Sequence, residues 1–190
     1  MAFPDPNKLY TPAEYLAMEA VAEEKSNYCD GHIFQTMTAA GNEERHDHIR
    51  LNIRDALQTR LVGTLYKVSD PPSSGTTAAV KSHGSPDIAV FRARSRPLIV
   101  FEVISPRNEA TDRGAKASQY RTVESVQIQV IVAQHLPEVE VFLRMPDECW
   151  SVRFLSGLDE TIELPLIDVK LPLAEIYRRV RFPVEPYLYT

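Results

Sequence analysis

The chain has 190 residues, 44% of them hydrophobic and 25% charged, and a formal net charge of −5. This composition excludes a disordered chain, and the length suits a single domain spanning 1–190 with a substantial core. Uninterrupted apolar runs reach only four residues, far short of the roughly 20 that a membrane helix needs, so no membrane partner is expected. The acidic balance argues against indiscriminate nucleic-acid binding, which requires clustered Lys and Arg. Met1-Ala2-Phe3-Pro4 has no basic start and no apolar stretch, so no secretory signal is visible. Cys29 and Cys149 are too few for a disulfide framework or a zinc site, and a reducing cytoplasm is the expected location.

Residues 1–9 read as a loose arm. Thr11-Pro12-Ala13-Glu14 is a helix start, with Thr11 as N-cap and Glu14 closing a capping box, and the helix runs to about Ala22. Tyr28 to Phe34 reads as a hairpin around Asp30-Gly31. Asn42 caps a second helix whose stripe of Ile49, Ile53, Ala56, Leu57 and Leu61 has the 3.6-residue period, and Gly63 ends it. Leu65 to Ser69 is a short strand, 70–75 a loop, and 78–80 a weak strand. A hairpin of Asp87–Phe91 and Leu98–Val103 follows. Glu109 to Val123 is a third helix, and Gln127 to Ala133 a buried strand. Glu138–Arg144 and Trp150–Leu155 form another hairpin. Thr161–Leu164 and Val169–Leu171 are short strands, Leu173–Arg179 is a short helix, and 181–190 is a tail. This order predicts an α/β fold with a mixed central sheet flanked by helices, plus a C-terminal antiparallel extension. The helix between the Glu102 and Val130 strands predicts a parallel crossover there.

Asp87 and Glu102 stand out. The midpoint between them falls between Arg94 and Ser95, inside the polar turn Arg92-Ala93-Arg94-Ser95-Arg96-Pro97. That register sets the two acids opposite one another, with Cβ atoms roughly 4.5–5.5 Å apart. Either acid alone reads as a solvated strand end. Two facing carboxylates in an apolar sheet repel each other and are costly to desolvate. A divalent cation resolves both problems, and oxygen-only ligands suit Mg²⁺ or Mn²⁺.

Lys116 is the third candidate. Tyr120 lies one turn further on the same helix face and Asp112 one turn before. Spacing alone favours an Asp112–Lys116 surface pair; the alternative aims Lys116 at the carboxylates. His46 and His48 are two residues apart on a helix, so one faces the core or cleft and the other solvent. The clusters Arg92, Arg94, Arg96 and Arg178, Arg179, Arg181 read as solvated charge rather than as a phosphate track. No nucleophile elbow and no phosphate-binding glycine loop is present.

Several segments together carry a family resemblance. They are Tyr10-Thr11-Pro12-Ala13-Glu14-Tyr15, Tyr28 with Asp30-Gly31 and Ile33, and His46 with Ile49. Pro86-Asp87, Glu102-Val103-Ile104-Ser105-Pro106, Asp112-Arg113-Gly114-Ala115-Lys116 with Tyr120, and Leu171 to Tyr177 complete the set. The chain resembles the PD-(D/E)XK nuclease superfamily over roughly residues 9–180. More narrowly it resembles the bacterial Uma-type family, named as restriction endonucleases and largely of unknown function. The resemblance implies a restriction-endonuclease-like core and metal-dependent hydrolysis of DNA. Asp87, Glu102 and the Val103 carbonyl would hold Mg²⁺ or Mn²⁺. Lys116 would serve where the family's lysine, two residues after the Glu, is replaced by Ile104. The family places a Glu where this chain has Asn27, and an acid is frequent where it has His32. Asn27 can coordinate through its amide oxygen but brings no charge. That departure motivates the alternative, a weakened nuclease fold that binds DNA or protein. Cutting both strands of a duplex, together with the exposed β-prone and aromatic segments, leads to the expectation of a homodimer.

Overall fold

A computed structural model describes residues 8–19, 26–29, 31–35, 42–69, 86–92, 96–105 and 117–182. Helix α1 (Pro12–Glu19) opens on the expected capping box. Glu14 N donates to Thr11 Oγ1 at 3.2 Å, and Thr11 N donates to Glu14 Oε2 at 2.7 Å. The Thr11 N–H, together with the Thr11 hydroxyl and Lys8, which also donate to the Glu14 carboxylate, lowers that carboxyl from its ordinary value. Strands β1 (Ser26–Cys29) and β2 (His32–Gln35) pair antiparallel, with Cys29 opposite His32. Gly31 takes a φ of 85°, which the two-residue turn requires and a side chain would resist.

Helix α2 (Asn42–Arg60) buries the stripe of Ile49, Ile53, Ala56, Leu57 and Leu61, none more than 5% exposed. Gly63, at φ 76°, closes it in the left-handed conformation of a helix C-cap. The stripe packs on a six-stranded sheet. Its strands, in spatial and chain order, are β3 (Tyr66–Ser69), β4 (Ile88–Arg92), β5 (Pro97–Ile104), β6 (Ile128–Ala133), β7 (Glu138–Arg144) and β8 (Trp150–Ser156). Only β5 and β6 run parallel. Their crossover carries α3 (Ala117–Thr122), as the sequence order requires.

The expected C-terminal extension begins later than the sequence suggests. Strands β7 and β8 continue the central sheet; only β9 (Thr161–Leu164) and β10 (Val169–Pro172) form a separate two-stranded sheet. All six residues of β6 are buried, and a strand buried on both faces belongs inside a sheet with a partner on each edge. The last helix, α4 (Leu173–Ile176), stops three residues short of the expected Arg179. Arg179 has a φ of 65°, which no right-handed helix can contain. The weak strand at 78–80, the loop at 70–75, the hairpin tip at 93–95 and residues 109–116 of the third helix lie outside the described residues. Among the described residues no helix is long and apolar enough to cross a membrane.

The sheet has two covered faces. Ile88, Phe101, Val103, Val130 and Val139 face α2 and α4 in the main core, while Ala89 and Val100 face Tyr120, Val123 and Val126 on the crossover side. Arg144 anchors that second layer. Its guanidinium donates to Arg121 O at 2.8 Å, Val123 O at 3.1 Å and Val126 O at 3.0 Å, and lies 4.7 Å over the Trp150 ring. It thus satisfies carbonyls at the C-terminal end of α3 that have no intrahelical donor. Hydrogen bonds to a charged group contribute about 1.5–3 kcal/mol each, less than additively when shared. Arg144→Ala is expected to lower the urea midpoint by an amount equivalent to about 2–4 kcal/mol with an unchanged slope. Arg144→Lys should recover little of this, because an ammonium lacks the planar fork.

Candidate metal centre at the end of the sheet

The β4–β5 register fixes the geometry. Ile88 pairs with Phe101, Ala89 with Val100 and Val90 with Ile99. One further step outward sets Asp87 opposite Glu102, as the midpoint of the hairpin predicts. A register shift between Val90 and Phe91 offsets this pairing by one residue from that beside the turn, where Phe91 pairs with Pro97. Along β5 the alternation sends Phe101 and Val103 into the main core. Glu102 therefore points to the crossover side, where it is 3% exposed. The Asp87 side chain, just before β4, is 18% exposed.

One oxygen of Asp87 is held twice. Val103 N donates to Asp87 Oδ2 at 2.7 Å, and His46 Nε2 lies 3.2 Å from the same atom. The local sequence explains the first contact. Extending the register again would put Pro86 opposite Val103, and a proline ends a ladder because it has no N–H. The Asp87 side chain then serves as acceptor where the strand backbone stops. The second contact comes from α2. His46 precedes Ile49 and Ile53 by three and seven residues, so it shares their inward face, while His48 is exposed. Burial pushes the His46 imidazole down, but the hydrogen bond to Asp87 and the charges of Asp87, Asp47 and Glu102 outweigh it, and the net shift is upward.

The remaining candidates divide. Val103 follows Glu102 on β5, its N–H bound to Asp87, and brings a backbone carbonyl. Tyr120, 1% exposed, packs with Ala89 and Val100 on the crossover face. Asn27 sits in β1 opposite Phe34; its side chain, and the whole of Asp112 and Lys116, lie outside the described residues. Among the described residues no group of three His, Cys, Asp or Glu side chains has metal-binding geometry. The donors available here are two carboxylates and a backbone carbonyl; an all-oxygen set would suit a hard divalent cation.

Glu140 is a further acid on the same face. The registers Glu102–Ile131 and Ile131–Glu140 put it in the row of Asp87 and Glu102, 9% exposed. Burial pushes the Arg121 guanidinium down and Glu140 pulls it up, with a net downward shift. Arg121 also lies 4.7 Å over the Phe142 ring. Alternation in Val139-Glu140-Val141 is the sequence signal for the direction of Glu140. Its place in the row depends on two strand registers that no local pattern contains.

Comparison with known proteins agrees with this architecture. Residues 12–174 match the model of the Uma2 family, described as "Putative restriction endonuclease". The chain belongs to the Uma2 family. Two uncharacterized proteins of Synechocystis sp. are 25% and 26% identical to it, over 85% and 90% of this chain and 96% and 93% of their own lengths. A crystal structure of "a putative nuclease belonging to DUF820" from Anabaena variabilis superposes with a TM-score of 0.63 at 16% identity, over 88% of this chain and 97% of that one. This Uma2 chain therefore has a nuclease-like fold.

The raised His46 value makes the site pH-dependent in the metal-free protein. A histidine whose folded value lies above its usual 6.5 contributes stability fully below that usual value and loses it as pH rises through the folded value. The stability difference between wild type and His46→Gln, read by urea denaturation with chelator present, should therefore shrink as pH rises above the usual histidine value of 6.5. A difference that grows with pH would contradict the Asp87–His46 contact as its source.

Proposed function

We propose that this chain is a metal-dependent endonuclease that hydrolyses phosphodiester bonds of DNA. Asp87, Glu102 and the Val103 carbonyl would hold Mg²⁺ or Mn²⁺. The observation that carries the reading is the register that opposes Asp87 and Glu102 where β4 ends. A carboxylate 3% exposed among Val100, Ile104 and Ile131 is costly as an anion, and a cation offsets that cost. The metal, when bound, would activate water and neutralise developing charge on the phosphate.

The chain's own groups have separable roles. Val103 N and His46 fix the orientation of the Asp87 carboxylate through one oxygen. His46 in its cationic form compensates the Asp87 charge when no cation is present. Lys116 precedes the buried Tyr120 by one helical turn in the sequence. It would supply positive charge to the transition state, as the relocated lysine of the nuclease pattern. Asn27, neutral where the family has an acid, supports a second reading in which the fold is a weakened nuclease that binds DNA or protein.

Conversion of supercoiled plasmid to nicked and linear forms tests the reading. Asp87→Ala and Glu102→Gln should abolish metal-dependent conversion. Lys116→Ala should slow it on the order of 10²–10³-fold, as loss of a preorganised charge-stabilising group does. It should leave metal binding intact, while Asp112→Ala should remain close to wild type. Wild-type inactivity with both Mg²⁺ and Mn²⁺ would reject the enzyme in favour of the binding module. Undiminished activity in Lys116→Ala would remove that residue from the site.

A further inference from the structure

Arg178, Arg179 and Arg181 are exposed just after α4. Among the described residues none of the three side chains forms a salt bridge or a hydrogen bond. Other arginines of this acidic chain are neutralised: Arg50 by Asp47, Arg54 by Asp55 and Arg60 by Glu175. Arg178 does influence Glu175, but that carboxylate is already gripped by both terminal nitrogens of Arg60 at 3.0 and 2.6 Å. The chain carries 26 acidic residues against 21 basic ones, so an arginine triplet whose acidic neighbour Glu175 is already paired with Arg60 calls for a reason.

The backbone beneath the triplet is held from three sides. The Tyr177 ring is buried, its hydroxyl 2.8 Å from Ala133 O and 2.9 Å from Glu138 O. Asn52 on α2 donates both amide hydrogens, to Ile176 O at 2.8 Å and Arg178 O at 2.9 Å. Phe182 packs on Tyr177 with ring centroids 5.4 Å apart. Arg179 adopts its φ of 65°, a conformation that costs any residue with a Cβ and would cost glycine nothing. Arg179 thus stands at a position whose backbone favours glycine.

This turn hangs at the same end of the sheet as the acids. Ala133, at the Tyr177 hydroxyl, pairs with Ile104, two residues beyond Glu102. One strand spacing and two residues amount to roughly 8 Å. Along α2, Asn52 lies six residues from His46, a rise of about 9 Å. Arg92 and Arg96, by contrast, lie at the opposite end of the β4–β5 hairpin.

We propose that Arg178, Arg179 and Arg181 form a phosphate-backbone anchor that seats duplex DNA beside the Asp87–Glu102 centre. The proposal rests on the nuclease reading above and extends it to the substrate. Guanidinium forks match phosphate oxygens in geometry. Charges fixed on a rigid turn lose little entropy when they bind. The arrangement would also explain how a chain of net charge −5 binds a polyanion: the positive charge is concentrated locally, with no salt bridge to it among the described residues.

The test is duplex binding by the full chain, measured by fluorescence anisotropy over a range of KCl concentrations with EDTA present, so that cleavage plays no part. Each phosphate contact contributes about 0.9 to the slope of log affinity against log salt. The triple variant Arg178→Gln, Arg179→Gln, Arg181→Gln should lose about two to three from that slope and bind more weakly at low salt. The corresponding triple Lys variant should keep most of it. Arg179→Gly should melt at a higher temperature, because the left-handed residue is relieved, yet lose about one from the slope. A purely structural Arg179 would give the higher melting temperature with the slope unchanged. A triple Gln variant that binds like wild type, or a wild type that does not bind duplex, overturns the anchor. Plasmid cleavage is read separately: cleavage with an unchanged slope rejects the anchor and keeps the nuclease, and a lost slope without wild-type cleavage does the reverse.

Discussion

The arrangement of this molecule around its sheet end depends on one carboxylate oxygen. Asp87 Oδ2 receives the Val103 N–H and contacts His46, and so joins the start of β4, the end of β5 and the N-terminal half of α2. The dipeptide Pro86-Asp87 does two jobs in succession. The proline stops the ladder by withholding an N–H, and the aspartate takes over the neighbouring strand's next donor with its side chain. The protein's own groups orient the carboxylate. That is the preorganisation a metal ligand needs, since a freely rotating side chain would lose rotamer entropy on coordination.

The second constraint is alternation in a strand buried on both faces. Seven of the eight residues of β5 are buried and the eighth is half-buried. An acid placed there must therefore be accommodated inside the protein. Phe101 and Val103 hold the strand to the α2 layer, which commits Glu102 to the crossover side. The same logic places Glu140 in line with it two strands away. Among the described residues, a groove lined by Glu138, Glu140, Phe154 and Ser156 among others opens at that far side of the row.

Local features were legible in the sequence. The Thr11–Glu14 capping box, the apolar stripe of α2 and the glycine that ends it depend on residues within a few positions of each other. The opposition of Asp87 and Glu102 matches the midpoint read from the sequence, but a one-residue register shift between Val90 and Phe91 separates it from the pairing beside the turn. His46 could be told from His48 only through its phase relative to Ile49 and Ile53. What the sequence did not reveal depends on partners distant in the chain. Alternation in Glu138–Arg144 and Trp150–Leu155 marks two strands but not the sheet they join. The role of Arg144 at the end of α3 joins a β7 residue to carbonyls about twenty positions earlier. The end of α4 is set by a single left-handed residue, which no helix propensity marks in an arginine.

The central claim is that Asp87, Glu102 and the Val103 carbonyl converge on one cation. Crystals equilibrated with millimolar Mn²⁺ and measured at the manganese absorption edge test it most directly. The account predicts one strong anomalous peak between the Asp87 and Glu102 carboxylates, within coordination distance of the Val103 carbonyl, and its disappearance in Asp87→Ala crystals. A well-ordered Asp87 and Glu102 with no peak between them, or a peak bound elsewhere on the chain, would contradict it.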